Sequence, residues 1–157
     1  MSSAVIRPAR PEDEATVRAL VCDAYSHYVA RLGREPGPMA DNYEARIAAG
    51  QVWVLYTPGV PELAGIVVLE ARDRQFLLDN IAVAPACQGR GYGGVLMRFA
   101  EERAMTLGYD TVVLYTHVLM TENIALYKKL GFVETGRVSE KGFDRVYMAK
   151  SLTGAGT

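Results

Sequence analysis

Three strand-sized apolar runs follow one another at residues 51–57, 63–71 and 76–83, with no helical stretch between them. They are rich in β-branched and aromatic residues, and Pro58-Gly59-Val60-Pro61 supplies a turn between the first two. Such a run reads as antiparallel strands in the middle of the chain. It excludes the regular strand–helix alternation of a doubly wound dinucleotide fold and predicts an α+β domain with a mixed sheet.

The flanks extend this order. Residues 5–7 are short and β-branched and read as a first strand. Pro11 suits the first turn of a helix, and Glu12-Asp13-Glu14 follow at the positive end of its dipole. Val17, Leu20, Val21, Ala24, Tyr25, Tyr28 and Leu32 keep helical spacing, giving one buried stripe that Gly33 and Pro36-Gly37-Pro38 end. A shorter helix is predicted over 40–49. Beyond residue 83 the pattern predicts a helix closed by Gly108, a strand over 111–117, and a short helix N-capped by Thr121 and ended by Gly131. A final antiparallel pair over 132–138 and 143–150 turns near Lys141-Gly142. The prediction is one domain over 1–152, with a small polar tail at 153–157 that frays.

Composition narrows the function classes. The chain of 157 residues is half hydrophobic and carries a net charge of −1. It has no global field of the kind that draws nucleic acid. Cys22 and Cys87 form no CxxC pair, and His27 and His117 lack ligand spacing, so neither a disulfide framework nor a metal is expected. The opening segment lacks the basic stretch and long apolar run of a secretory signal, and no apolar run reaches membrane length. The expectation is a cytoplasmic protein without a membrane or nucleic-acid partner.

The segment Gln88-Gly89-Arg90-Gly91-Tyr92-Gly93-Gly94 carries the clearest chemistry. Its glycines let backbone N–H groups turn toward an anion, and a helix beginning at Tyr92 or Gly93 adds its positive end. Gly89, Gly91 and Gly94 also fit G-x-G-x-x-G. That fingerprint belongs in a first βα turn with an acid after the following strand, whereas Asp110 precedes its strand here. No Gly-Lys-Ser/Thr follows, which excludes a P-loop. Taken alone, the glycine fingerprint reads first as a tight turn before a helix.

Two further segments decide between these readings. Ile81-Ala82-Val83-Ala84-Pro85 precedes the glycines, and Asn123-Ile124-Ala125-Leu126-Tyr127-Lys128-Lys129-Leu130-Gly131-Phe132 lies about thirty residues after them. Together with the opening Ile6-Arg7-Pro8-Ala9, these resemble the GNAT (Gcn5-related N-acetyltransferase) superfamily over nearly the whole chain. The resemblance implies a mixed sheet of about seven strands, splayed between the fourth and fifth, with about four helices. It implies acetyl-coenzyme A as co-substrate and no metal. Gln88, Gly89, Arg90, Gly91, Tyr92, Gly93 and Gly94 would hold the pyrophosphate. Ile81, Ala82 and Val83 would pair with the pantetheine, and the amide near Val83 would polarise the thioester carbonyl. Asn123 would hydrogen-bond the pantetheine.

The implied reaction is direct attack of a neutral amine on the thioester. Tyr127 is assigned as the acid that protonates the leaving thiolate, since a phenol is still protonated at neutral pH. Its alternative is core packing beside Leu126 and Leu130. Asp79, two residues before Ile81 and on the same strand face, leads as general base, with Glu70 and His117 as alternatives. Each is as readily an ordinary surface residue. The acceptor pocket is expected from the first helices and late strands, where Tyr25, His27, Tyr28, Arg31, Arg34, Tyr43, Tyr115 and Tyr147 lie. A small-molecule amine is placed ahead of a protein N-terminus or lysine, and a homodimer stays open. The rival readings are a non-catalytic coenzyme A-binding module and a nucleotide-dependent oxidoreductase.

Overall fold

A computed structural model of the chain describes residues 4–140 and 142–152. Its elements run β1 (Val5–Pro8), α1 (Glu14–Tyr25), α2 (His27–Leu32), α3 (Tyr43–Ala48), β2 (Val52–Tyr56), β3 (Gly65–Ala71), β4 (Phe76–Val83), α4 (Tyr92–Thr106), β5 (Thr111–His117), α5 (Thr121–Lys129), β6 (Val133–Glu140) and β7 (Phe143–Ser151). Single 3-10 turns lie at Pro11–Asp13, Gly37–Ala40 and Pro85–Cys87. The strands form one seven-stranded mixed sheet in the order β1-β2-β3-β4-β5-β7-β6, and β4 and β5 are parallel neighbours. The parallel ladder is registered at Phe76↔Val112 and Leu77↔Val113, near the start of both strands. The α+β class and the strand count are as the sequence predicts.

Two helical details differ. The stripe expected as one helix is split at Ser26, so the described residues hold five α-helices where about four were expected. Ser26 Oγ donates to the Asp23 carbonyl at 3.2 Å, and Val29 N–H turns back to Ser26 O at 3.1 Å, tightening the backbone without interrupting the buried face. Thr121 is the first helical residue of α5 rather than its cap. Met120 occupies the cap position, and the Thr121 hydroxyl pairs with Glu122 Oε1. Lys141 and the tail at 153–157 lie outside the described residues.

The chain divides into two compact units. One comprises the residues up to Leu69 with Asn80–Arg98, the other Glu70–Asp79 with the residues from Phe99 onward. In the first, β2 pairs antiparallel with β1 and β3, and Val54, Leu55, Ile66, Val67 and Val68 are fully buried with Val17, Val21, Tyr43 and Leu96. Arg7 Nη1 bonds Asp13 Oδ2 at 2.8 Å, and Asp13 also accepts from Arg10 N–H at 2.7 Å. The Arg7 bond, more than the Arg10 amide, holds the Asp13 carboxyl below the usual carboxylate range against the opposing effect of burial.

In the second unit β5 and β6 both pair antiparallel with β7, and a bulge lies between Glu134 and Gly136. Val112, Leu114, Val146 and Met148 are buried with Ala100 and Ala104 of α4 and with Ile124 of α5. Lys150 lies on the same β7 face as Val146 and Met148. Its Nζ donates to Glu101 Oε2 on α4 and to the Leu130 carbonyl just past α5, both at 2.8 Å. Tyr115, His117, Phe143, Arg145 and Tyr147 alternate onto the opposite, half-open face of these strands.

Candidate active site

The glycine segment follows from the way β4 ends. Ala84-Pro85 stops the strand, a 3-10 turn carries the chain through Cys87, and Gln88 is extended, with its Nε2 donating back to Val83 O at 3.3 Å. Gly89 and Gly91 both adopt φ 82°, in the left-handed region that side chains with a Cβ resist. The first bond of α4 runs from Val95 N–H to Gly91 O at 3.2 Å. The N–H groups of Tyr92, Gly93 and Gly94 therefore precede the helical ladder and carry its positive end. A Cβ built on Gly89, Gly91, Gly93 or Gly94 would meet nothing within 4 Å. Gly89 and Gly91 are required by backbone conformation rather than by packing, and Gly93 and Gly94 leave the helix start open. Arg90 is exposed at the same rim, and the Tyr92 hydroxyl is 3.5 Å from Thr57 Oγ1. An exposed run of glycines leading into unbonded helix N–H groups has the donor set a pyrophosphate requires.

On β4 the alternation is as expected. Asp79, Ile81 and Val83 share a half-exposed face, while Asn80 and Ala82 are turned into the protein. Asn80 is 2 % exposed and anchors a set of buried bonds that the sequence reading did not single out. Its Oδ1 accepts from the Tyr25 hydroxyl at 2.8 Å, and its Nδ2 donates to the Tyr43 hydroxyl oxygen at 3.2 Å. Tyr43, 0 % exposed, is therefore not a pocket-lining side chain, and Tyr25 and Tyr28 are buried with it. The available signal was an amide at a position where β4 otherwise turns Leu78 and Ala82 inward.

In the second unit Asn123 and Tyr127 stand one turn apart on α5, on neighbouring positions of one helix surface. Asn123 is half-buried, with Nδ2 3.8 Å from Met120 Sδ, to which the Thr116 hydroxyl also donates at 3.5 Å. Tyr127 is 5 % exposed, and its ring meets Phe132 edge-on at 6.0 Å. Of the alternative bases, Glu70 is bonded to Arg72 at 3.0 Å, and His117 Nδ1 accepts the Leu119 N–H at 3.1 Å.

Tyr115 and Tyr147 face each other across β5 and β7 with ring centroids 5.6 Å apart. The Arg145 guanidinium lies 4.4 Å from the centre of the Tyr115 ring and bonds Glu140 Oε1 at 3.0 Å, and the Tyr147 hydroxyl donates to the same oxygen. That bond and partial burial both raise the Tyr147 phenol above its ordinary range. Among the described residues no cluster of three or more His, Cys, Asp or Glu is arranged to hold a metal ion, and no helix is long and apolar enough to cross a membrane.

A family model of the acetyltransferase (GNAT) family matches residues 16–132, three quarters of the chain. The chain belongs to the GNAT family. Among its relatives, a mouse protein named as probable N-acetyltransferase family 8 member 5 is 31% identical over 129 residues, covering 79% of this chain and 56% of that protein. The chain thus spans about half the length of the curated relatives it matches. Two solved structures named as acetyltransferases share the fold. PaiA N-acetyltransferase from Thermoplasma acidophilum, solved with coenzyme A, gives a TM-score of 0.76 at 19% identity and covers 95% of this chain and 99% of that one. YncA of Salmonella typhimurium, solved with acetyl-CoA as its cofactor, gives 0.70 at 22% identity and covers 96% of this chain and 95% of that one. At these identities the likeness is one of fold.

Proposed function

We propose that this chain transfers the acetyl group of acetyl-coenzyme A to the amine of a small molecule. The observation that carries the reading is the Gln88–Gly94 segment, where two left-handed glycines lead into helix N–H groups that the ladder leaves unbonded, in a chain of the GNAT family. Acetyl-coenzyme A supplies an acyl group already activated as a thioester.

The chain's own residues then have separable tasks. Backbone N–H groups from Gly89 to Gly94, with Arg90, hold the pyrophosphate. Ile81, Ala82 and Val83 offer main-chain groups to the pantetheine, and the Val83 amide donates to the thioester carbonyl oxygen as negative charge develops there. Asn123 hydrogen-bonds the pantetheine. Asp79 accepts the proton that frees the amine lone pair. The amine nitrogen bonds to the carbonyl carbon, the carbon–sulfur bond breaks, Tyr127 gives its phenolic proton to the departing sulfur, and the proton that the nitrogen sheds as the amide forms restores the phenol. Binding both substrates in one orientation supplies much of the rate.

The small acceptor is favoured by the set of Tyr115, Tyr147, Arg145 and Glu140, which offers ring faces and fixed polar groups across the neighbouring strands β5, β7 and β6. The test is thiol release from acetyl-coenzyme A over small amines, peptide N-termini and lysine peptides, with thermal shifts against acetyl-coenzyme A and NAD(P). Turnover confined to small amines is expected. Turnover only on peptides would move the acceptor to proteins, and binding with no turnover would make the chain a coenzyme A-binding module. Stabilisation by NAD(P) alone would overturn the assignment.

A further inference from the structure

The side chains gathered on the late strands border a groove that holds charges of both signs. A cavity of about 260 Å³ is lined by Arg145 and Asp144 of β7, by Arg137, Val138 and Ser139 of β6, and by Val118 just past β5. All of them lie in one compact unit. The volume is that of a small metabolite and falls short of what a drug-sized ligand needs.

Arg145 is the lining residue most closely confined by its surroundings. The strand register sets it opposite His117 of β5 and Val138 of β6. Its guanidinium lies over the Tyr115 ring at 4.4 Å and reaches the Phe143 ring at 5.8 Å. The side chain is only 20 % exposed, a degree of confinement that an ordinary surface ion pair does not require. Nη1 donates to Glu140, and the Tyr147 hydroxyl oxygen is a second acceptor. These two acceptors do not use up the N–H donors of a guanidinium. The others have no acceptor among the described residues, on a side chain that lines the groove.

Charge balance narrows what those donors can hold. Arg137 and Arg145 bring positive charge to the groove, and Asp144 and the neighbouring Glu140 bring negative charge. Arg137 is already bonded to both carboxylate oxygens of Glu134, and Asp144 accepts from the Ser139 hydroxyl. A dianionic phosphate would be repelled by the two acids. A zwitterion meets both signs, and a planar carboxylate matches the fork of the guanidinium. Tyr115 and Tyr147, with ring centroids 5.6 Å apart, add apolar surface for the body of such a molecule.

We propose that Arg145 determines acceptor specificity: its open N–H donors take the carboxylate of a free amino acid, whose amine is the group acetylated. This rests on the acetyl-transfer reading and names the substrate class within it. The test compares phenylalanine with phenylalaninamide and phenethylamine, which keep the amine and lose the carboxylate. In the unmodified chain kcat/KM for phenylalanine is expected to exceed that for the amide about 10- to 100-fold, the equivalent of a hydrogen bond to a charged group. In Arg145→Gln that ratio should fall to within about threefold. Arg145→Lys keeps the charge without the fork and should retain part of the preference, and it carries the test where Arg145→Gln does not fold. Phenylalanine should also raise the melting temperature of the unmodified chain and not that of Arg145→Gln, a readout independent of turnover. Equal rates for acid and amide, a preference that survives in Arg145→Gln, or turnover confined to phosphate-bearing amines would overturn the proposal. Absence of turnover on every amine would instead sink the acetyl-transfer reading, and absence of a shift with phenylalanine would then remove the carboxylate site as well.

Discussion

Gly65 of β3 lies against the backbone of Ala82 on β4: a Cβ at position 65 would stand 2.9 Å from the Ala82 carbonyl oxygen and 3.0 Å from Leu96 Cδ1. The first of these neighbours is main chain and cannot swing aside. Gly65→Ala must push β4 outward, and overpacking of this kind costs about 1–3 kcal/mol. A lower melting temperature is expected, with weaker acetyl-coenzyme A binding, because Ala82 sits between Ile81 and Val83. Thermal denaturation and calorimetric titration read the two effects, and an unchanged melting temperature would show that β4 yields freely.

Gly91 makes the opposite case. It has open space around it and φ 82°, so a side chain there meets backbone strain without a clash. Gly91→Ala should cost about 1–2 kcal/mol if the loop keeps its shape. Relaxation of the loop would turn the N–H groups away from the anion instead. The expected result is a loss of acetyl-coenzyme A affinity larger than the loss of stability, measured by titration beside a melting curve.

Tyr127 is buried against Phe132, so Tyr127→Phe preserves the ring contact and deletes only the hydroxyl. Loss of a general acid is expected to lower kcat by about 100-fold, with the KM for acetyl-coenzyme A little changed. Asp79→Asn should also lower kcat, and rate recovery at higher pH, where the amine frees its own lone pair, would mark the carboxylate as the base. A Tyr127→Phe enzyme of full activity would leave Tyr127 a packing residue.

The Arg7–Asp13 pair predicts a pH signature. Its bond to Arg7 holds the Asp13 carboxyl below its unfolded value. The pair's contribution is therefore complete above the unfolded pKa, near ~4, and is lost as pH falls through the lower folded value. The side chains are partly solvated, which limits the contribution to about 1 kcal/mol. Asp13→Asn should melt below the wild type at pH 7, and the gap should close as the solution is acidified below about pH 4. A gap that widens in acid would contradict the sign.

Strand positions were legible in the sequence because proline and glycine punctuate them. Pro58-Gly59 follows β2, Ala84-Pro85 ends β4, and Gly108 closes the turn after α4. The break at Ser26 was not legible, since neither residue type occurs there and the apolar stripe crosses it unbroken. The tyrosines misled for a related reason. A phenol is apolar over most of its surface and polar at one atom, so composition cannot tell a pocket wall from a core ring whose hydroxyl finds a buried partner. Tyr25 and Tyr43 find theirs in Asn80, 55 and 37 residues away, and no local pattern encodes such a pairing. The glycine segment was readable for the converse reason, because its conformation, its openness and the helix behind it are all written within seven consecutive residues.

The setting of Lys150 bears on the protein's own susceptibility to the reaction proposed for it. An ε-amine reacts with a thioester only through a free lone pair, and the Lys150 amine is committed as a donor to Glu101 and to the carbonyl that follows α5. Lys128 and Lys129 stand on the exposed side of α5, open to solvent. Self-modification during turnover would accordingly mark α5 before it reached the lysine that ties α5 to α4.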